Sequence, residues 1–285
     1  MDSRIIDVPS PLGADAAAVG AGAATVRADA ATVGADSRPR IRVYQTGSGP
    51  DLLFLHGAGG LLPNDPFLNK LSQHFTVYAP LLPGYEDSEG GDHLRSMLDV
   101  TLHAGDVRKA LGLERPLLVG HSMGGMIAAE MAAIAPETVE KLVLIAPAGL
   151  WRDEYPVADL FAALPFQLPE LLLHDPEKHG ALLSSGGDFN DPEFLTDFLV
   201  GNARRMGMAG KLLFPIPDRG LESRLYRIEA HTRIVWGRSD RVIDSVYAAE
   251  FARLIPNAEA TVLEEAGHMV PYEQTDRVVE LIAGL

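Results

Sequence analysis

The chain has no cysteine among its 285 residues. Disulfides, thiolate nucleophiles and cysteine-held zinc are therefore excluded, and cysteine pairing gives no reading of redox compartment. Positive charge is scarce as well: 24 Lys and Arg stand against 39 Asp and Glu, a formal net charge of −15. Such a surface repels phosphate backbones, and no Lys/Arg cluster offsets it, so nucleic acid is not an expected partner. No apolar run reaches the roughly 18 residues a membrane-spanning helix needs, so no membrane partner is expected either. The opening MDSRIIDVPSPLG carries Asp2 and Asp7 where a signal peptide wants net positive charge, and the expected location is the cytoplasm.

What is present is an ordinary globular balance, 47% hydrophobic and 22% charged. The length fits one large domain, or a core with an inserted segment. Residues 11–36 are rich in Ala, Gly and Val, and residues 1–39 read as a loosely held extension or as weak outer strands. Ile41 to Gln45 alternates like an edge strand, and Gly47-Ser48-Gly49-Pro50 makes a turn. Short apolar runs come next at Leu52–Leu55, Phe75–Ala79, Leu117–Val119, Leu142–Ile145, Ile234–Trp236 and Ala260–Leu263. Runs without polar alternation predict strands covered on both faces, as in a parallel sheet. Helices are predicted at Asp99–Leu111, Met123–Ala135, Ser245–Leu254 and Gln274–Ala283. The alternation gives an α/β class with a mostly parallel sheet and helices on both faces. It fails over 151–230, which is proline-rich, carries most of the Phe and has amphipathic pieces such as Pro192–Leu199. The core is then 40–150 with 231–285, and 151–230 is a helical insertion. Ligands of open α/β sheets bind beyond the carboxyl ends of the strands, where an insertion leaving from β-strand 142–145 would form a lid.

Gly120-His121-Ser122-Met123-Gly124 matches G-x-S-x-G. Alone the pattern carries little weight; here a strand precedes it and a helix comes after it. Ser122 then sits on a strained strand-to-helix turn, and side chains at the flanking glycines would collide across it. A serine hydroxyl needs a base to become a nucleophile. Gly267-His268 directly follows the last strand and places His268 on a loop at the carboxyl edge of the sheet. The base in turn needs an acid to fix its tautomer. Asp240 follows its strand through Gly237-Arg238-Ser239; Asp244 is the nearest rival, and Glu264 and Glu265 fit solvated turn positions better. The glycine-rich His56-Gly57-Ala58-Gly59-Gly60 leaves backbone N–H groups free for an oxyanion, with Ala58 N–H and Met123 N–H as the expected donor pair. It lacks the Lys-Ser/Thr of a phosphate-binding P-loop.

HGAGG, GHSMGG, WGRSD and AGHMVPYEQ together resemble the single-domain α/β-hydrolase family that includes carboxylesterases, lactonases and carbon–carbon bond hydrolases. The resemblance covers roughly residues 40–285. The order Ser122, Asp240, His268 is that family's order. It implies a covalent acyl-enzyme, no cofactor, no metal and a helical lid before the acid strand. A serine at the elbow argues against the dehalogenase and epoxide-hydrolase branches, which use Asp there. One departure is that the family's frequent Asp-x-Pro-Gly-x-Gly-x-Ser reads Leu81-Leu82-Pro83-Gly84-Tyr85-Glu86-Asp87-Ser88, an altered loop beside the acyl pocket.

Other residues keep two readings. His121 reads as a packed neighbour of the elbow. Arg204 and Arg205 fit a substrate carboxylate or a solvated helix face. Phe161, Phe166, Phe194 and Phe198 fit an apolar substrate pocket or the core of the insertion. Gly201, Gly207 and Gly210 fit hinges. The expected partner is a small molecule with an apolar part. Ester hydrolysis leads, with carbon–carbon hydrolysis of a vinylogous diketone and a non-catalytic ligand-binding protein as alternatives. Oligomeric state is not written in the sequence.

Overall fold

The computed structural model describes residues 1–8, 39–62, 64–184, 190–214 and 218–285. The extension read over 11–36 lies outside the described residues. Strands β1 (Asp2–Asp7), β2 (Arg40–Thr46), β3 (Asp51–Leu55), β4 (Thr76–Pro80), β5 (Leu117–His121), β6 (Lys141–Ile145), β7 (His231–Gly237) and β8 (Ala258–Leu263) form one sheet. Their spatial order is β1-β2-β4-β3-β5-β6-β7-β8. β1–β2 and β2–β4 are antiparallel; every other pair is parallel. Each apolar run predicted as a strand falls on one of β3 to β8, except that Phe75 precedes β4. β2 differs from its reading as an edge: β1 pairs outside it from Asp2↔Gln45 to Asp7↔Arg40. β1 is almost wholly exposed, so it has no buried face for a pattern to mark.

The parallel strands are joined through helices that pack back onto the sheet. α1 (Pro66–Leu71) follows β3, α2 (Met97–Ala110) follows β4, and α3 (Met123–Ile134) follows β5. Between β6 and β7 lie α4 (Leu168–Leu172), α5 (Pro176–His179) and α6 (Pro192–Leu213), and no strand among the described residues of 151–230. α7 (Val246–Leu254) joins β7 to β8, and α8 (Val270–Glu273) and α9 (Thr275–Ala283) end the chain. Local chemistry sets the helix starts: Asp65 caps α1 by accepting from Leu68 N, and Ser96 with Asp99 forms a capping box on α2.

Period-two patterning splits the core into two layers. Leu53, Leu55, Leu118, Leu142, Leu144, Ile234 and Trp236 pack on α2, α3 and α7. Leu52, Phe54, Val119, Val143, Ile145 and Val235 pack on α1, α8 and α9. Successive strand residues face opposite layers, and both layers are apolar, which is why these runs show no polar alternation. Among the described residues no helix is long and apolar enough to cross a membrane.

Candidate active site

Ser122 follows β5 directly and opens α3, with φ 55° and ψ −117°. That left-handed φ is unfavourable for a side-chain-bearing residue, and neighbours must hold it. They do: Ser122 N–H donates to Ile145 O at 2.9 Å, and Ser122 O accepts from Met126 N at 3.1 Å and Ala148 N at 3.1 Å. The glycines are a steric necessity. A methyl at Gly120 would lie 2.3 Å from Gly124 O, and one at Gly124 would lie 2.0 Å from Leu55 O. One at Gly125 would lie 2.8 Å from Pro147 Cβ.

The three residues read from separate loops meet here. Ser122 Oγ and His268 Nε2 are 2.8 Å apart, and His268 Nδ1 and Asp240 Oδ2 are 2.8 Å apart. All three are buried, at 8%, 2% and 7% exposure, so water competes poorly for these bonds. The Asp240 carboxylate is fully engaged. Oδ1 accepts from Val242 N and Ile243 N, both at 2.9 Å, and Oδ2 also accepts from Trp236 Nε1 at 3.1 Å. With Nδ1–H donating to this carboxylate, His268 presents an unprotonated Nε2 to the serine hydroxyl. The rival acids lie elsewhere. Asp244 accepts from Val246 N at the start of α7, Glu264 pairs with Arg238, and Glu265 is exposed.

His121 is buried, and its Nε2–H donates to His268 O at 2.9 Å. Burial, with the neighbouring His268 second, pushes its pKa down to about 3, so it stays neutral and ties the elbow to the base loop. Ala58 lies on the loop after β3, and a methyl at Gly57 would stand 3.3 Å from Ser122 Cβ. Met123 is the first residue of α3, where a backbone N–H has no intrahelical acceptor. Both expected donors therefore border Ser122. Sequence reading did not single out what holds this loop. His56 is buried, with Nε2 accepting from Leu82 N at 3.0 Å and Nδ1–H donating to Gly57 O at 2.8 Å. Burial lowers its pKa to about 4, which keeps it in this neutral form. Tyr85 O–H donates to Ala58 O at 3.0 Å. In the departing loop, Glu86 takes φ 48°, a backbone region where the family pattern's glycine is at ease.

The inserted segment reaches the same site. Met269 N–H donates to Leu172 O at 3.0 Å, and Glu273 accepts from Gly267 N at 2.6 Å and from His174 N at 2.7 Å. Of the insertion's aromatics, Phe161 meets Phe214 with centroids 5.7 Å apart, and Phe166 is exposed. Arg204 is exposed; Arg205 is half-buried, with its Cδ 3.3 Å from where a methyl at Gly60 would stand.

Residues 52–281 match the model of the alpha/beta hydrolase family. An uncharacterized protein of Mycobacterium tuberculosis is 29% identical over 263 residues, covering 83% of this chain and 75% of its own length. A 2-hydroxy-6-oxononadienedioate/2-hydroxy-6-oxononatrienedioate hydrolase of Comamonas testosteroni is 25% identical over 272 residues, covering 83% of this chain and 87% of its own. Among solved structures, a membrane phospholipase A described as a bacterial virulence factor superposes with a TM-score of 0.71 at 25% identity. The superposition covers 86% of this chain and 82% of that one.

Proposed function

This chain belongs to the alpha/beta hydrolase family, and we propose that it is a serine hydrolase that cleaves an ester or related carbonyl compound through an acyl-enzyme. One observation carries the reading: His268 stands between Ser122 Oγ and Asp240 Oδ2, 2.8 Å from each. In that position Nε2 takes the hydroxyl proton as Oγ attacks the scissile carbonyl carbon. The carbonyl oxygen becomes the oxyanion, accepting from Ala58 N–H and Met123 N–H. Collapse breaks the bond to the leaving group, which takes the proton from His268. Water then attacks the acyl-enzyme, losing its proton to Nε2, and the acid departs as the bond to Ser122 Oγ breaks and Oγ takes that proton back from His268. Asp240 holds the ring and stabilises the imidazolium throughout. Residues 151–230 act as the lid, and the substrate is a small molecule with an apolar part. The test is intact-protein mass spectrometry after treatment with a fluorophosphonate, on wild type and Ser122→Ala. A single adduct on the wild type alone supports the reading. An unlabelled wild type overturns it in favour of a ligand-binding member of the fold.

A second reading is carbon–carbon hydrolysis of a vinylogous diketone by the same three residues, with His268 first assisting ketonisation. Arg205 favours it. Among the described residues its guanidinium has no ion pair or hydrogen bond, and its stem lies against Gly60 of the oxyanion loop. An unpaired arginine there suits a carboxylate, and the Comamonas testosteroni relative is named for a dioate. Specificity constants for a panel of diketone acids and simple esters separate the two.

A further inference from the structure

We infer that Tyr85 is a positioning residue: its hydroxyl sets the direction of the oxyanion donor at Ala58. The inference rests on the serine-hydrolase reading, and it concerns how a loop with so little stiffness of its own holds a donor still. Residues 57–60 read Gly-Ala-Gly-Gly. Three glycines in four positions leave the peptide planes free to rotate, so their direction must come from outside the loop.

Two fastenings supply it. The first acts on Gly57 O, which accepts from His56 Nδ1–H at 2.8 Å and from Gly60 N–H at 3.1 Å. That carbonyl shares a planar trans peptide with Ala58 N–H, so holding the oxygen aims the N–H the opposite way. The second acts on the other side of Ala58. Its carbonyl accepts from the Tyr85 hydroxyl at 3.0 Å. With both flanking peptides held, φ and ψ of Ala58 are fixed. Among the described residues no protein acceptor takes the Ala58 N–H.

Tyr85 can do this because it is itself immobile. It is fully buried, its ring meets the His56 ring edge-on at 4.6 Å, and its own N–H donates to Leu82 O at 3.1 Å. Leu82 N–H in turn holds His56 Nε2 at 3.0 Å, so one short segment, 82–85, carries both fastenings. Helix α6 covers them. Met208 packs where a methyl at Gly84 would lie 3.0 Å away, and the Arg205 stem packs on Gly60. In this dry setting a buried hydroxyl without its acceptor is costly, so the Tyr85–Ala58 bond persists.

Tyr85→Phe is the test, because it keeps the ring against His56 and removes only the donor. Two ligands are compared on wild type and variant: a trifluoromethyl ketone and the corresponding secondary alcohol. Ser122 Oγ adds to the ketone carbon, its proton passes to His268, and the ketone oxygen becomes an oxyanion in the hole. The alcohol binds without forming one. The variant is expected to bind the ketone about 5- to 30-fold more weakly, part of the 10²–10³ typical of losing a whole donor. Affinity for the alcohol is expected to stay level, and kcat for a 4-nitrophenyl ester to fall by the ketone's factor. A tyrosine that merely stabilises the fold would lower the melting temperature and leave the ketone-to-alcohol ratio unchanged. That ratio unchanged, or both ligands weakened equally, overturns the inference while fluorophosphonate labelling of Ser122 keeps the hydrolase reading. A wild type that takes no fluorophosphonate overturns both.

Discussion

Gly124→Ala puts one methyl group against the most constrained point of the site. Its carbon would lie 2.0 Å from Leu55 O, 2.4 Å from Leu55 C and 2.6 Å from His56 O. Ordinary non-bonded separations are about 3.5 Å or more, so the overlap exceeds 1 Å. All three obstacles are backbone atoms, and none can turn aside as a side-chain tip could. Leu55 ends β3, which is hydrogen-bonded to β4 on one side and β5 on the other. The first turn of α3 must therefore lift by about 1 Å. Overpacking a core costs about 1–3 kcal/mol when side chains give way, and a backbone obstacle places this case at about 3 kcal/mol. At roughly 2–4 °C per kcal/mol for a domain of this size, the melting temperature is expected to fall by about 6–12 °C. The lift also moves Ser122, two residues back, away from His268. A displacement of about 1 Å is worth on the order of 100-fold in rate, so fluorophosphonate labelling is expected to slow by about that factor. Thermal melting followed by dye fluorescence and a labelling time course read both effects. Gly59→Ala is the control for stability: nothing lies within 4 Å of its methyl, and it is expected to melt within about 1–2 °C of wild type. If Gly124→Ala melts and labels like the wild type, the steric account of the elbow glycines is wrong.

The Glu130 carboxylate is buried at 2% exposure and accepts from Arg224 Nε at 2.8 Å. Arg224→Met leaves that charge unpaired, and urea unfolding is expected to show a loss of about 3–5 kcal/mol, largely restored by adding Glu130→Gln. An Arg224→Met variant as stable as wild type would refute this. His56 and His103 are buried and neutral, each with its pKa lowered by burial to about 4. The unfolded chain binds their protons near pH 6.5 and the folded chain only near pH 4. Stability is therefore fully present above 6.5 and lost as pH falls to 4, by about 3 kcal/mol for each histidine. His103→Leu is expected to remove about that much from the difference in urea stability between pH 7 and pH 4; an unchanged difference contradicts the assignment.

How much of the fold and the site is legible in the sequence depends on which atoms hold each part together. β3 to β7 are legible because the strands are buried on both faces over most of their length, which leaves short apolar runs bounded by turn residues; β8 is a half-exposed edge strand, legible from its short run Ala260–Leu263 before Glu264. β1 is not, because almost all of Asp2–Asp7 faces solvent, and what ties it among the described residues is chiefly the backbone ladder to β2, with Ser3 Oγ accepting from Arg42 Nη1 and Ile6 packed beside Ile41 and Val43. Ser122, Asp240 and His268 are each legible from one local fact, a chemically able side chain just past the carboxyl end of a strand. His121 reads only as a packed neighbour; its bond to His268 O spans 147 positions and has no local signature. Tyr85 is equally silent, since a tyrosine in a Pro-Gly turn looks like any surface tyrosine until its hydroxyl is seen on Ala58 O.

The insertion divides in the same way, and the division decides which part of it can move. Its segment 168–175 is fastened to both loops of the site, mostly through backbone groups that no residue type reveals. Leu172 O accepts from Met269 N, next to His268 in the chain, and Leu173 O accepts from Arg241 Nη1, next to Asp240. His174 Nδ1 and Ser239 Oγ are 2.8 Å apart, on the other side of Asp240. Gly267 is open to this contact because a methyl there would lie 2.8 Å from both His174 N and Leu172 O. Displacing 168–175 would break these bonds and release the acid and base loops together. That segment is thus part of the frame that sets the 2.8 Å spacings at His268. α6 is held differently: of its 22 residues only Met208, Ala209 and Leu212 are buried, all in its second half. Few buried contacts mean a low free energy of local opening. On the proposed reading of 151–230 as a lid, the part of it that moves to admit a ligand is α6, which rests on Gly60 and Gly84, and not the strap that holds the loops of Asp240 and His268.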